Sequence, residues 1–188
     1  MRTMTWLLLL CAAAPAQDEG FIPLKKGTRW VYSLSDRKQV VQEVTGTEKV
    51  GDVECFVIES DMGGQKEKMW VLQNAEGIWL HKAQSRETVS ELGKPALLLK
   101  YPLKKEAEGW TARIPSGSET IEYSFTNEGE EALTVHGKSY QAWRIRMRGR
   151  TQGYGFEGSY WYAKGVGLVK QVITSPGGEF RLELKEFK

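Results

Sequence analysis

The clearest chemical pattern in the sequence is a row of four arginines at every second position. The arginines are Arg144, Arg146, Arg148 and Arg150. They alternate with Trp143, Ile145, Met147 and Gly149. Alternate side chains of a β-strand point to opposite faces, so the four guanidinium groups are expected on one face. The planar guanidinium matches phosphate and carboxylate groups, which makes the row a candidate anion-binding site.

A second interpretation of the arginine row is a solvated face that forms ion pairs with neighbouring strands. Cross-strand pairs of opposite charge are common, and each contributes only about 0.2–1 kcal/mol. The candidate partners are Glu119, Glu122, Glu179 and Glu183. The sequence alone leaves both interpretations open.

Aromatic side chains form a second candidate site, because the chain has seven tryptophans. Aromatic residues suit pleated strands, so packing in the core is the default interpretation. The alternative is a groove that binds an apolar or lipid-like ligand. The residues predicted to line that groove are Trp30, Tyr32, Trp70, Trp143 and Trp161.

Catalytic and metal-binding patterns are poorly represented. His81 and His136 are the two histidines, and neither has a second ligand at the spacing of a zinc site. Glu128, Glu130 and Glu131 are expected in a solvated polar turn, and Cys55 is expected to be a small buried apolar residue. We therefore predict no enzyme activity, no metal and no cofactor.

These side chains are positioned by short strands, whose signals recur about every ten residues with almost no helical periodicity between them. Tight turns are predicted at Gly51-Asp52, Gly63-Gly64 and 74–77, which gives consecutive antiparallel hairpins. The stretch 85–92 is read as a strand or a single helical turn, with a break at Gly93-Lys94-Pro95. The predicted fold class is all-β and mainly antiparallel.

Several strands are apolar on both faces, which requires cover on both sides. Phe56 and Ile58 oppose Cys55 and Val57, and Met69 and Val71 oppose Trp70. Since helices are not available to supply the cover, we predict one strongly curved sheet or incomplete barrel of about 10–12 strands. Its concave side is either a ligand groove or a filled core.

Three short motifs of the first half recur in the second half of the chain. Gly27 to Trp30 is echoed by Gly109-Trp110, and the turn at Gly51-Asp52 by the turn at Gly137. Trp70 with Gly77 is echoed by Trp161 with Gly167. Three anchors in the same order predict two similar halves, about 21–100 and 101–188, within a single domain over 17–188.

The first 16 residues are predicted to be a cleaved export signal. Arg2 precedes the apolar run 6–14, which is far shorter than the roughly 20 residues of a membrane span, and Ala14-Pro15-Ala16 is a small-x-small cleavage site. A lipoprotein anchored through Cys11 is the less favoured alternative, because Leu10 precedes that cysteine. No later segment is predicted to cross a membrane.

The charge of the chain is balanced, which does not favour nucleic acid as a partner. Lysine and arginine number 26 and aspartate and glutamate 24; loss of Arg2 leaves 25 against 24. The expected location is exported, in a periplasm or outside the cell, and soluble after cleavage of the signal.

Two motifs carry a resemblance to known proteins. The stretch 21–32, FIPLKKGTRWVY, and the stretch 161–170, WYAKGVGLVK, resemble the opening and the closing motifs of uncharacterised exported bacterial β-sheet proteins. That group is similar in architecture to the periplasmic lipoprotein carriers, in which a curved antiparallel sheet forms an incomplete barrel around an apolar cavity. The resemblance implies that fold and a location in the cell envelope, and it supplies no catalytic residues.

The sequence therefore supports two functional hypotheses. The first is a non-enzymatic exported protein that binds an apolar or amphiphilic ligand, such as a lipid, in a curved β-sheet groove. The second is a cell-envelope module for protein–protein interaction or structure, with a filled core. The volume and the lining of the concave side distinguish the two.

Overall fold

The structure is a computed structural model, and it describes residues 20–35, 38–104, 107–116, 119–151 and 153–188. The predicted signal at 1–16, including Cys11, lies outside the described residues. The described residues form 12 strands and no helix. The strands of the first half are β1 (Arg29–Leu34), β2 (Gln39–Val50), β3 (Val53–Met62), β4 (Gln65–Asn74), β5 (Gly77–Ser85) and β6 (Thr88–Lys100). Those of the second half are β7 (Gly109–Ser116), β8 (Glu119–Val135), β9 (Lys138–Arg150), β10 (Gly155–Ala163), β11 (Gly167–Ser175) and β12 (Gly178–Phe187).

All 12 strands belong to one antiparallel sheet in the order β6-β5-β4-β3-β2-β1-β12-β11-β10-β9-β8-β7. Strands that follow one another in the chain pair with one another, and β1 pairs with β12, with Leu34 opposite Leu182. The sheet therefore curls into a nearly closed barrel whose seam lies between β6 and β7. At the seam the Trp110 indole donates a hydrogen bond of 3.2 Å to the carbonyl of Leu97. The predicted all-β class and strand number are confirmed.

The stretch 85–100 differs from its prediction. Strand β6 runs continuously from Thr88 to Lys100, so neither the helical turn nor the break at 93–95 is present. The pairing is irregular instead: Leu80 lies opposite Ala96, and Lys82 lies opposite Glu91. Residues 92–95 therefore bulge opposite the single residue His81, and this accommodates a glycine and a proline without ending the strand.

The inner face of the barrel is filled by side chains from both halves of the chain. Tyr32, Ile145, Met147 and Leu184 are each at most 1% exposed. Gly149 allows close packing at one end, because a Cβ on this residue would come within 2.2 Å of the Phe156 ring. The interior is thus a packed hydrophobic core.

The predicted two-faced strands are confirmed in β3 and β4. Ile58 and Val71 belong to the inner core, whereas Cys55, Val57 and Trp70 form a separate small cluster on the outer face. Val50 and Val53, at the tip of the β2–β3 hairpin, pack against this outer cluster. Side chains at the tip of the β2–β3 hairpin, rather than a helix, therefore cover part of the second apolar face.

The segment 20–26 lies across one end of the barrel. The Phe21 ring stacks on Tyr101 with centroids 5.6 Å apart, and Phe21, Ile22 and Leu24 pack against the inner core. Ile22 also lies close to Gly167, at the start of β11. This segment, which we call the end cover, shields the core from solvent at that end.

Candidate functional site

Two of the predicted groove residues, Trp30 and Tyr32, are core residues. They are 2% and 1% exposed. The indole of Trp30 donates a hydrogen bond of 2.6 Å to the carbonyl of Val166, and the hydroxyl of Tyr32 donates one of 3.1 Å to the carbonyl of Leu168. Burial raises the pKa of Tyr32. Burial and these hydrogen bonds hold both side chains in the core, where they are not accessible to a ligand.

The other three predicted groove residues are divided between the two faces. Trp143 lies opposite Tyr162, on the same face as Ile145, and is half-buried. Trp70 and Trp161 lie on the outer face, where their indoles donate hydrogen bonds to Glu48 and Glu131. The five aromatic residues therefore do not line one common surface, and no single groove of this composition is formed.

The four arginines share one face, as their alternation predicts, and the structure makes it the outer face. The arginines differ in their partners. Arg144 and Arg146 both form ion pairs with Glu128, at 3.1 and 2.9 Å. Arg148 makes a longer contact of 3.6 Å with Glu157. No residue that the structure describes forms an ion pair or a hydrogen bond with the Arg150 side chain.

Two expectations about the acidic residues are corrected by this geometry. Glu128, Glu130 and Glu131 lie within β8 rather than in a turn, at a bulge between Asn127 and Glu130. The bulge turns Glu128 toward the arginines, so Glu128 and Glu157 are the partners of the row. Among the four partners predicted, Glu122 pairs with Arg113, and Glu183 with Lys170.

A groove of about 750 Å³ lies beside the last two arginines of the row, on β7 to β11. Arg148 is aligned across the sheet with Ser124 and Glu157, and the same row continues to Thr111 and Thr174. Five strands at about 4.8 Å spacing make the groove roughly 19 Å wide. It is lined by Thr111, Ala112, Arg113, Glu122, Tyr123, Ser124, Arg148, Gly149, Arg150, Gly155, Phe156, Glu157, Thr174, Ser175 and Pro176.

The charges of this outer groove favour an anion. Three arginines and two glutamates line it, which is a formal charge of +1. The Arg113 and Arg148 side chains are 77% and 66% exposed, so they are accessible to a ligand. Arg113 was not predicted as a site residue. Its alternation with Trp110 and Ala112 is the signal that could have identified it, since it matches the pattern of the arginine row.

A serine–histidine pair forms elsewhere on the outer face, between residues 103 positions apart that no local spacing pattern connects. Ser33 Oγ lies 2.8 Å from His136 Nε2, and it also donates a hydrogen bond to the carbonyl of Glu183. Such a pair could activate a hydroxyl if an acidic group oriented the imidazole. Within the described ranges no carboxylate is bonded to His136. The pair instead attaches the tip of the β8–β9 hairpin to β1.

Two further groups have shifted pKa values. Burial lowers the pKa of His81 and raises that of the Cys55 thiol. A buried thiol with a raised pKa is a poor nucleophile, which agrees with Cys55 as a packing residue. In the described part of the chain, histidine, cysteine, aspartate and glutamate do not gather in groups of three that could hold a metal ion. None of the described residues form a helix with the length and apolar character of a membrane span.

Comparisons with known proteins bear on the fold. No family model and no curated protein sequence matches the chain. One similar solved structure is described as a "putative lipoprotein" from Parabacteroides distasonis, with 13% identity, a TM-score of 0.60, and coverage of 90% of this chain and 99% of that one. A second is a "putative exported protein with YmcC-like fold" from Bacteroides fragilis, with 12% identity, a TM-score of 0.55 and the same coverage. At these identities the likeness shows a shared barrel fold across most of the chain.

Proposed function

We propose that this chain is an exported, non-enzymatic interaction module with a filled core, which recognises its ligand or partner through its outer face. The observation that carries the proposal is the filling of the inner face by residues such as Tyr32, Ile145 and Met147. An apolar ligand could enter the barrel only by displacing these side chains. Loss of one such core side chain costs about 2–5 kcal/mol.

Export is part of the proposal. It is supported by the apolar run 6–14 before Ala14-Pro15-Ala16, and the two similar solved structures are described as exported or lipoprotein. The intact mass of the exported protein tests it, with Gln17 expected as the first residue. A chain that still begins at Met1, or one acylated on Cys11, would overturn this part of the proposal.

The filled core is tested with a small apolar probe. Xenon binds empty apolar cavities, so it is expected to leave the interior methyl resonances of the wild-type protein unshifted in NMR spectra. Met147→Ala removes a fully buried side chain, and this variant should bind xenon at the new cavity. Xenon shifts around Ile145 and Leu184 in the wild-type protein would show a ligand-sized interior and contradict the proposal.

Binding of an anionic amphiphile at the outer groove is the second candidate function. The observation that favours it is the exposure of Arg113 and Arg148, which suits the charged group of such a ligand. Native mass spectrometry of the purified protein is the direct measurement. A retained amphiphile that Arg150→Gln releases would support this candidate, and retention by both proteins would contradict the assignment to this groove.

A further inference from the structure

We propose that the outer groove on β7 to β11 is a phosphate-binding site, in which Arg113, Arg148 and Arg150 bind a phosphate group that is either free or carried by an amphiphile. The inference deepens the proposed function, because it names the chemistry that the outer face recognises. It narrows the predicted anion site from the row 144–150 to the end of the row and adds an arginine from a different strand.

The groove has positive charge available for an external anion. Arg150 forms no ion pair with a described residue, although it lies directly opposite Glu122 on β8. The Glu122 carboxylate is instead 2.7 Å from Arg113, which lies opposite it on β7. One carboxylate therefore lies between two arginines, and the groove retains a guanidinium that can bind an external anion.

The arginines at the two ends of the row differ in how strongly they are paired with carboxylates. Arg144 and Arg146 share Glu128, whose side chain is 25% exposed, and Arg144 also lies over the Trp161 ring at 5.4 Å. Arg144 and Arg146 therefore each already contact a carboxylate, whereas Arg150 contacts none among the described residues. Arg148, whose contact with Glu157 measures 3.6 Å between two largely exposed groups, is held only weakly. The arginines of the row that can bind an external anion are therefore Arg148 and Arg150, at the C-terminal end of β9.

The three arginines are close enough to bind one phosphate group together. Arg113 and Arg150 flank the same residue on β8, so their backbones are two strand spacings apart, roughly 10 Å. Arg148 is two residues from Arg150 on the same face, a further distance of about 7 Å. Arginine side chains can converge across such distances on one tetrahedral phosphate, and their planar forks match its oxygens.

The groove also offers groups that suit the remainder of a ligand. Thr111, Ser124 and Thr174 are aligned in the row that contains Arg148, and their hydroxyls can donate to further oxygens. Tyr123 and Phe156 lie opposite Gly149 on the inner face, so the outward lining of the groove is polar. This lining matches the phosphate group, whether it is free or carried by an amphiphile.

The test is a titration of the full protein with two probes, inorganic phosphate and dodecyl phosphate, followed by NMR of the arginine Nε–H groups. We expect shifts at Arg113, Arg148 and Arg150 and none at Arg146. Arg150→Gln should weaken binding about tenfold, the effect of one charge-assisted contact. Arg146→Gln is the matched control on the same strand and face, and it should leave the affinity unchanged. Circular dichroism confirms the fold of both variants, and Arg148→Gln is a second test of the site.

The two probes distinguish the source of the phosphate. Equal affinities support a site for a free anion, and tighter binding of dodecyl phosphate supports an amphiphile. Shifts at Arg146 as large as those at Arg150, equal weakening by both substitutions, or no binding would overturn the proposal. A wild-type interior that binds xenon would refute the filled-core function, and the arginine shifts would still decide the groove separately.

Discussion

At the scale of single residues, the outer tryptophans show how charged groups can cover a large aromatic surface. Trp70 and Trp161 each donate an indole hydrogen bond to a glutamate, and each ring lies under a lysine of the next strand, at 4.6 and 5.5 Å. The two rings differ in cover, because Trp70 is 4% exposed and Trp161 is half-buried. The same set of contacts should therefore contribute more to stability at Trp70.

Phenylalanine substitutions test this difference, since they keep an aromatic ring and remove the indole donor. Trp70→Phe removes a hydrogen bond to a charged group from a ring that is 4% exposed, and it should lower the free energy of unfolding by about 1.5–3 kcal/mol. Trp161→Phe acts at a more solvated site and should cost less than about 1 kcal/mol. Urea denaturation measures both values. Equal losses would show that burial does not control the strength of these bonds.

His81 predicts a pH dependence of stability. Its pKa is lowered from 6.5 by burial, so the folded protein binds its proton less readily than the unfolded chain does. The stability that neutral His81 contributes is therefore complete above the unfolded pKa of 6.5. It decreases as the pH falls through 6.5 toward the lowered pKa of the folded protein. In urea denaturation between about pH 7.5 and 5, His81→Gln should lose less stability than the wild-type protein. Parallel stability curves for the two proteins would contradict this prediction.

At the scale of elements, the end cover 20–26 contributes apolar packing outside the strands. Ile22 packs against the core and approaches Gly167, whereas Lys25 and Lys26 are exposed. Ile22→Asp places a charge against apolar surface and should lower the free energy of unfolding by about 1–3 kcal/mol. Lys26→Asp is the control and should change it by less than about 0.5 kcal/mol.

Hydrogen exchange gives a second readout of the end cover. The amide of Tyr101, which donates to the carbonyl of Glu76 beneath this segment, should exchange faster in Ile22→Asp than in the control variant. If the two variants have the same stability and the same exchange rates, the segment does not cover the core.

The strands and their turns could be predicted from the sequence wherever glycine and polar residues separate apolar runs. The misread stretches, 93–95 and 128–131, contain bulges, and a bulge has the same local composition as a turn. Alternation also predicted which side chains share a face, as for Cys55 and Val57. It could not predict which face becomes the interior, because that depends on how the sheet curls.

The candidate site was predictable in part for a related reason. The alternation of arginines in β9 fixes their common face, but their partners come from β8 and β10 and depend on register. Glu128 reaches two arginines because it sits in a bulge, and Arg113 joins the groove from two strands away. The alternation around Arg113 indicates its face, but the register that brings it and Glu128 to these arginines has no signal in the local sequence.

At the scale of the whole molecule, irregularities in the ladders recur at similar places in the first six and the last six strands. Pairing is interrupted after Trp70 between β4 and β5, and in the same way after Trp161 between β10 and β11. The β2–β3 and β8–β9 ladders are likewise interrupted, beside Gly46 and beside Gly129. The twofold repeat over about 21–100 and 101–188 stays a prediction.

The arrangement of the halves predicts that the barrel can assemble from two fragments. The fragments 20–104 and 107–188 each hold six consecutive strands, and they meet at the β1–β12 ladder, where the rings of Trp30 and Phe187 stack with centroids 6.1 Å apart. Separation within the β6–β7 connection breaks no ladder, because β6 and β7 are the two ends of the sheet order. Because the inner core needs both halves, we expect the fragments to form a 1:1 complex that unfolds cooperatively, with each fragment poorly structured alone.

Analytical ultracentrifugation and circular dichroism measure the assembly of these fragments. The control is Leu182→Asp in the fragment 107–188, which places a charge at a buried position opposite Leu34 in the β1–β12 ladder. This pair should bind more weakly, because burial of an unpaired charge is unfavourable. Fragments 20–104 and 107–188 that fold independently, or that bind no better than the control pair, would show that closure through β1 and β12 does not complete the core.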